Sequence, residues 1–342
     1  MRRWQLWIGL AISLFFLVWA VRQVNSFSEV VAALPRANYG LVGLALVAYF
    51  IGVWLRALRW QCLLAPLKSL SVRKLFPVVV IGYMANDVLP ARIGELVRAY
   101  ILSEREGVSK SSSLATIFLE RIFDGIVLLL FAVVVSLFIP LGEGLQNIVR
   151  IAAVVFALAI VVFLIMAFSP NTANKVLSSL LKYSPQKVRT RVGGFAASFI
   201  DGLQALQRGR LLVSVIALSA AAWLCEAGMY YIIGVGFKLI QPFHVFLLTA
   251  VVANIGTMVP SSPGYVGTFE ALSVFTLGLF KVNPDLAMSY TLILHVALLV
   301  PVTLLGFFYL WQHQLSLTFI GKEPTVTNSG LKEEVSGCRK LG

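Results

Sequence analysis

Long apolar runs dominate the chain, and short polar segments separate them. Six runs approach or exceed the length that crosses a bilayer, since about 20 helical residues span the hydrocarbon core. The first run follows two arginines, as in a signal peptide, but its length favours a retained span. The pattern predicts an all-α polytopic membrane protein with about six spanning helices, at residues 4–21, 39–58, 116–139, 148–168, 211–237 and 286–311.

Two shorter apolar runs, 75–89 and 243–259, do not fit this scheme. A helix of about 15 residues rises only about 22 Å, which is too short to cross. Each run is broken by Pro or Gly and followed by a second short piece, at 93–102 and 265–280. We therefore predict two re-entrant helical hairpins.

The distribution of charge supports the hairpins. With the N-terminus inside, 23 of the 28 basic residues fall on the inner side, as expected for cytoplasmic loops. A full crossing at 75–89 would instead put the basic clusters of 56–74 and 92–110 on opposite sides of the membrane. Both termini are therefore predicted to be cytoplasmic.

The order of spans and hairpins occurs twice with opposite orientation, which predicts inverted repeats. Residues 1–140 form the first repeat and 141–320 the second, and segment 171–210 of the second is predicted to lie amphipathically along the inner surface. The tail 321–342 is too polar to fold and is predicted to be disordered. Inverted repeats usually place a site near the membrane midplane, where broken helices meet.

Composition agrees with a membrane protein. Hydrophobic residues make up 59% of the chain, the mean hydropathy is +0.88 and the net charge is +13. The positive charge is better explained by topology and anionic lipid than by nucleic acid, so no nucleic-acid partner is expected. The few Cys and His residues share no metal-ligand spacing, and no GxxxxGK[ST] motif occurs, so neither a metal nor another cofactor is expected.

The two polar interruptions, "ANDVLPARIGELVRAYIL" and "ANIGTMVPSSPGYVGTFEA", are interpreted as corresponding hairpin tips. Backbone that leaves a helix there needs protein, water or ligand partners, and the asparagines serve either as structural caps or as ligand contacts. An ordinary extracellular loop is the alternative for the second stretch. The candidate residues are Asn86, Pro90, Gly94 and Glu95 in the first tip, and Asn254, Pro260, Ser261, Ser262, Pro263, Gly264, Gly267 and Glu270 in the second.

Arg92 and Arg98 are candidates for binding a lipid phosphate, which suits the forked geometry of guanidinium. Alternatively, Arg98 and Glu95 are interfacial charges on one helix face, because they are three residues apart.

Charged residues inside the spans are further candidates, because such charges are costly unless paired or wetted. "FLERIFDG" contains Glu120, Arg121 and Asp124, which form either an internal ion pair or a polar pathway. Glu226 lies in the middle of a span and is interpreted as proton-carrying, as facing a cation, or as a neutral hydrogen-bonded carboxyl. His295 in the last span is expected to be a packed, hydrogen-bonding group.

These motifs together resemble the membrane region of lysylphosphatidylglycerol synthetases (multiple peptide resistance factor) and their flippase-like relatives, over about residues 5–312. The resemblance implies a lipid translocator whose route is lined by the tip residues and by the charges of "FLERIFDG". The soluble aminoacyl-transferring domain of the full synthetase has no counterpart here, so the chain is not expected to make lysyl-lipid itself.

The leading hypothesis is a flippase-like translocator, rather than an enzyme, that moves an anionic or aminoacylated phospholipid, or a glycosyl-linked one, across the cytoplasmic membrane of a prokaryote. The alternatives are an intramembrane lipid-modifying transferase and a membrane platform for a soluble lipid-modifying partner. The sequence leaves the oligomeric state open.

Overall fold

A computed structural model describes residues 3–89, 93–136, 209–257 and 262–314, with four single positions between the second and third ranges. These ranges contain helices and no strand, in keeping with an all-α membrane protein. The α-helices are α1 (Arg3–Gln23), α2 (Phe27–Ala33), α3 (Tyr39–Leu64), α4 (Val72–Val88), α5 (Gly94–Glu106), α6 (Lys110–Ser136), α7 (Gly209–Gly236), α8 (Phe243–Gly256), α9 (Thr268–Leu279) and α10 (Pro284–Gln312), and 3-10 segments lie at Leu34–Arg36 and Pro263–Tyr265.

Within the described ranges, three helices are long and apolar enough to span a membrane, namely α3, α7 and α10. A fourth span arises if the two parts of a bent pair, Gly9–Gln23 and Phe27–Arg36, are counted together across their 88° bend. Helix α6 has 27 residues but carries Glu120, Arg121 and Asp124. The predicted span 148–168, the segment 171–210 and the tail 321–342 lie outside the described residues, apart from the single positions, so the total number of spans stays a prediction.

Two pairs of short helices form hairpins. Helix α4 packs against α5, and α8 packs against α9. The base of the first hairpin is joined by Lys74 Nζ and Glu106 Oε1, 2.9 Å apart. At the base of the second, Gln241 Nε2 donates to the Phe280 carbonyl oxygen at 3.2 Å. The short apolar pieces of the sequence thus form hairpins, while their re-entrant placement in a membrane stays a prediction.

The bases of the two hairpins lie at opposite ends of the helix pair α3 and α7. These two helices are antiparallel, because Asn38 N, before α3, donates to the carbonyl of Gly236, the last residue of α7, at 3.0 Å. The first hairpin follows the end of α3, and the second follows the end of α7. The hairpins therefore enter the bundle from opposite ends, which is the arrangement that inverted repeats would produce.

Each hairpin packs against a long helix from the other half of the chain, α4 against α10 and α8 against α6. Within the first hairpin, glycine permits an especially close approach of the backbones. A Cβ added to Gly94 would lie 2.0 Å from the Gly82 carbonyl oxygen, so a larger residue would force α4 and α5 apart. This packing fixes the position of the first tip inside the bundle.

Candidate functional site

A cavity of about 150 Å³ lies between the long helices and the hairpin tips. The two tips approach each other at its wall, where a Cβ added to Gly264 would lie 3.5 Å from the Asp87 carbonyl oxygen. Ionisable side chains from five α-helices line the cavity, namely Arg56, Asp87, Arg121, Asp124, Glu226 and His295. Aromatic side chains line it as well: Tyr49, Tyr83, Trp223, Tyr230, Tyr265 and Phe269.

Glu226 is not an isolated carboxylate, because Arg56 of α3 lies beside it. Arg56 Nη2 lies 2.6 Å from Glu226 Oε2, and both side chains are buried. Asn254 Nδ2 of α8 donates to the other oxygen, Glu226 Oε1, at 2.8 Å. The Arg56 guanidinium carbon also lies 4.7 Å from the centre of the Trp223 ring. Three helices therefore meet around one carboxylate at the cavity wall.

A second buried ion pair joins α3 to α6. Arg59 binds Asp124 through both terminal nitrogens, with Nη2 at 3.2 Å from Oδ2. Arg59 Nη1 also donates to Ser219 Oγ at 2.9 Å. Trp223 Nε1 donates to Asp124 Oδ1 at 2.9 Å. Asp124 thus has partners from α3 and α7 and also lines the cavity.

Arg98 lies behind this layer rather than among the cavity-lining residues. Its Nη2 is 2.7 Å from Glu120 Oε2, and its guanidinium carbon is 4.0 Å from the centre of the Trp60 ring. Glu120 Oε1 is also 3.5 Å from Arg59 Nη2. A role for Arg98 in binding phosphate therefore requires this pair to open.

Arg121 links α6 to the first hairpin. Its Nε is 3.7 Å from Glu95 Oε1, and its Nη1 is 3.5 Å from Asp124 Oδ2. About a third of the Arg121 side chain is exposed, in contrast to the buried Arg59 and Arg98. Among the arginines described here, Arg56 and Arg121 line the cavity and are the candidates for contact with a bound anion.

Asn86 and Asn254, near the ends of α4 and α8, both form hydrogen bonds with other protein groups. Asn86 Oδ1 accepts from Gly94 N at 2.7 Å, which satisfies a free amide at the start of α5, and Asn86 also lines the cavity. Asn254 Nδ2 donates to the Ala250 carbonyl as well as to Glu226. Both asparagines thus have structural bonds and cavity exposure. The candidates Pro90, Arg92, Pro260 and Ser261 lie outside the described residues.

The second tip is held from two directions. Ser262 N donates to Ser13 Oγ of α1 at 2.7 Å. Glu270 Oε2 accepts from Gly267 N at 2.7 Å, and Gly267 has a positive φ of 93° that favours glycine. Pro263 begins the 3-10 segment, and Gly264 within it also has positive φ, at 68°. The described turn residues Pro263, Gly264 and Gly267 therefore shape this part of the tip.

Three functional candidates escaped the sequence analysis, namely Arg56, Arg59 and Asp87, and a fourth, His295, was named there only as a packed group. The arginines are the partners of carboxylates 65 to 170 residues away, which one sequence does not reveal. Asp87 Oδ2 accepts from Thr303 Oγ1 at 3.0 Å and could have been found as a charge inside a short apolar helix. His295, expected to be a packed hydrogen-bonding group, forms hydrogen bonds with Glu270 and with the Gly264 carbonyl of the second tip.

A basic pocket of about 230 Å³ lies beside the base of the first hairpin, separate from the central cavity. Arg73, Lys74, Arg105, Glu106 and His313 line it together with apolar residues of α4 and α5. Hydrogen bonding to Lys74, together with Lys68, holds the pKa of Glu106 below its ordinary value. Burial and the neighbouring Arg105 lower the pKa of His313. Positive charge therefore predominates around this pocket.

The described residues contain no group of three or more His, Cys, Asp or Glu that could hold a metal ion. Four charges of the cavity lie in opposite pairs, Arg56 with Glu226 and Arg121 with Asp124, which lowers the cost of their burial, because an unpaired ion inside a protein costs several kcal/mol. The arrangement suits the binding of a charged, polar group by side chains of both signs.

Comparison with known proteins gives relatives among archaeal membrane proteins. The chain is 28% identical over 313 residues to "Glycosyltransferase AglD" of Haloferax volcanii, covering 82% of this chain and 50% of that protein. The chain therefore spans half the length of that relative. It is 24% identical to the UPF0104 membrane protein MJ1595 of Methanocaldococcus jannaschii, covering 88% of this chain and 92% of that one.

No solved structure matches the chain. The family model described as "Lysylphosphatidylglycerol synthase TM region" matches residues 6–306, which include all of the cavity-lining residues. The chain belongs to the lysylphosphatidylglycerol synthase transmembrane-region family.

Proposed function

We propose that the chain moves a phospholipid across the cytoplasmic membrane of a prokaryote by passing its headgroup through the central cavity. The observation that carries this proposal is a cavity lined by six side chains of Arg, Asp, Glu and His, enclosed by membrane helices and by two hairpin tips from opposite ends. Ionisable groups at such a depth are costly and usually mark a pathway or a substrate site. Family membership supports a lipid-related role.

The cavity is suited to a headgroup rather than to a whole lipid. About 150 Å³ accommodates a small polar group, while the acyl chains would remain in the bilayer. Arg56 and Arg121 would contact the phosphate, since guanidinium binds phosphate oxygens well. Asp87 and Glu226 would face an amine, as in an aminoacylated headgroup. Side chains of both signs thus favour a headgroup that carries both charges.

Entry from the inner side is supported by the charge distribution. The basic pocket at the base of the first hairpin lies on the side where Lys and Arg are concentrated, and it would attract anionic headgroups. Exit would occur near the second hairpin. Both termini are then cytoplasmic, and the two hairpins are re-entrant parts of inverted repeats.

A lipid translocation assay in proteoliposomes tests the proposal. Purified protein is reconstituted with fluorescent phospholipids, neutral and aminoacylated, and dithionite measures their movement between leaflets. We expect Arg56→Gln and Glu226→Gln to slow translocation at least about tenfold, which corresponds to about 1.4 kcal/mol in the barrier. Exposed charges provide matched controls, Arg36→Gln and Glu29→Gln, which should retain the normal rate.

Folding defects are separated from transport defects by the double variant Arg56→Gln/Glu226→Gln, which removes both charges and leaves neither unpaired. A double variant that folds like the wild type but moves no lipid supports the proposal. Movement at the rate of empty vesicles for the wild type with every lipid would contradict it.

A second candidate function is that of a membrane platform for a lipid-modifying enzyme. The match to "Glycosyltransferase AglD" favours it, because as much chain again lies outside the shared part of that relative. Affinity purification from the native membrane would test this candidate. Recovery of a soluble transferase, with lipid modification only when both proteins are present, would support the platform over the translocator.

A further inference from the structure

His295 of α10 lies between the second hairpin tip and the helix that follows it. Its Nε2 is 2.8 Å from the carbonyl oxygen of Gly264, and its Nδ1 is 2.5 Å from Glu270 Oε1. The ring also lies 4.5 Å from the ring of Phe269. One imidazole thus joins three elements: α10, the 3-10 segment at Pro263–Tyr265, and α9.

The chemistry of these two contacts fixes the number of protons. A carbonyl oxygen only accepts, so Nε2 must carry a hydrogen and donate it to Gly264. The short contact between Nδ1 and Glu270 Oε1 then needs a second proton, held by either atom. Without it, a nitrogen lone pair would face a carboxylate oxygen at 2.5 Å.

Loss of that second proton breaks one of the two His295 contacts, whichever tautomer the ring adopts. If the remaining hydrogen is on Nε2, the Nδ1 lone pair repels the Glu270 carboxylate. If it is on Nδ1, the hydrogen bond to Glu270 stays, but the Nε2 lone pair faces the Gly264 carbonyl oxygen. Because Glu270 is charged after deprotonation, it favours the second tautomer. The contact that is lost is therefore the one that holds the tip.

We propose that His295 and Glu270 form a one-proton latch that holds the second hairpin tip against α10 and releases it when the proton leaves to water in the cavity. The latch is closed at low pH and opens as the pH rises. If the cavity carries a lipid headgroup, the latch would couple protonation to passage beside the tip. That last step rests on the proposed function, whereas the latch itself does not.

The ionisable groups of the cavity beside the latch come from α3, α4, α6, α7 and the 3-10 segment. Asp87 of α4 and Tyr265 of the 3-10 segment line the same cavity as His295. Across the cavity lie Tyr49 and Arg56 of α3, Tyr83 of α4, Arg121 and Asp124 of α6, and Glu226 and Tyr230 of α7. Arg56 lies beside Glu226, and Arg121 beside Asp124, so these four charges are compensated in pairs. Asp87 accepts a hydrogen bond from Thr303 and has no ion-pair partner among the described residues, so a charged Asp87 would favour retention of the proton.

The latch is tested by measuring a distance within the full chain. On a background with Cys62→Ser, Cys225→Ala and Cys338→Ser, spin labels are placed at Ile240→Cys and Val266→Cys, both of which are exposed. Double electron–electron resonance in lipid nanodiscs then gives the distance distribution between about pH 5 and about pH 9, which brackets ordinary histidine titration. We expect the distribution to shift and broaden as the pH rises, following a single-proton transition.

Two variants provide reference distributions for the closed and the open latch. In Glu270→Gln the amide can donate to Nδ1 and its oxygen can accept from Gly267 N, so we expect the closed distribution at every pH. In His295→Phe the ring still packs on Phe269 but makes neither contact, so we expect the open distribution at every pH. Asp87→Asn should keep the transition.

A wild-type distance distribution that does not change with pH would overturn the latch. A pH-dependent distribution in Glu270→Gln, or a pH-independent one in Asp87→Asn, would overturn it as well. The same variants, reconstituted in proteoliposomes and measured for lipid movement, separate the two proposals. A pH-dependent distance without lipid transport would contradict the translocator and leave the latch standing. Transport without a pH-dependent distance would contradict the latch and leave the translocator standing.

Discussion

At the scale of single residues, the cavity depends on arginines that are neutralised by carboxylates distant in sequence. Arg59 is the most enclosed of them, with 1% of its side chain exposed, and it contacts Asp124, Glu120 and Ser219. Removing one member of such a buried pair is more damaging than removing both, because the remaining charge has no partner.

We therefore predict that Arg59→Met lowers the free energy of unfolding by about 3–5 kcal/mol, because it leaves Asp124 and Glu120 without their shared cation. The double variant Arg59→Met/Asp124→Leu should lose less than the sum of the two single variants. Denaturant titration in mild detergent measures these values, and Arg36→Met serves as an exposed control. Additive losses would contradict the proposed coupling.

Residues that stand out locally were named from the sequence, whereas their partners were missed. Glu226 and the charges of "FLERIFDG" were chosen because carboxylates in apolar runs are conspicuous. Arg56 and Arg59 were not chosen, because they lie near the end of a span where basic residues are common. The pairing of Arg56 with Glu226 bridges 170 residues, and no local pattern encodes it.

At the scale of elements, the two hairpins position the site. Helix lengths and the Pro and Gly breaks predicted both pairs of short helices to within a few residues. Their packing partners could not be predicted, because each tip is fixed by long-range contacts such as that of Ser262 with Ser13. The close approach of α4 and α5 likewise depends on which glycines face each other.

Gly94→Val should destabilise the first hairpin by about 1–3 kcal/mol or more, because its Cβ would meet the Gly82 carbonyl and the side chain of Asn86. Gly43→Ala in α3 is the matched control, since nothing lies within 4 Å of its added Cβ. Thermal unfolding of the two purified variants in detergent checks this prediction. Equal midpoints for the Gly94 and Gly43 variants would show that the close approach contributes nothing.

At the scale of the whole molecule, the hairpins enter the bundle from opposite ends. We expect this arrangement to place Ser71 and Ser109, on either side of the first hairpin, on one face of the membrane. Ile240 and Lys281, on either side of the second, should lie on the other face. Cysteine labelling in intact cells with an impermeant reagent, on the cysteine-free background, tests this topology.

Labelling of Ser71→Cys and Ser109→Cys from opposite faces would contradict the re-entrant placement and remove the support for inverted repeats. Labelling of all four positions from one face would leave the first hairpin intact and reject the second. Only same-face labelling within each pair, on opposite faces for the two pairs, agrees with the proposed transport route.

The ion pair between Arg56 and Glu226 also has a consequence for biosynthesis. Because the carboxylate is translated 170 residues after the guanidinium, at about 5–20 residues per second the arginine waits roughly 10–30 seconds for its partner. During that interval α3 would expose an uncompensated cation to hydrocarbon if it left the insertion machinery without α7. Helix α3 should therefore stay beside the translocon, or in contact with water, until α7 emerges. The ribosome would then complete most of the chain before the first half enters the lipid.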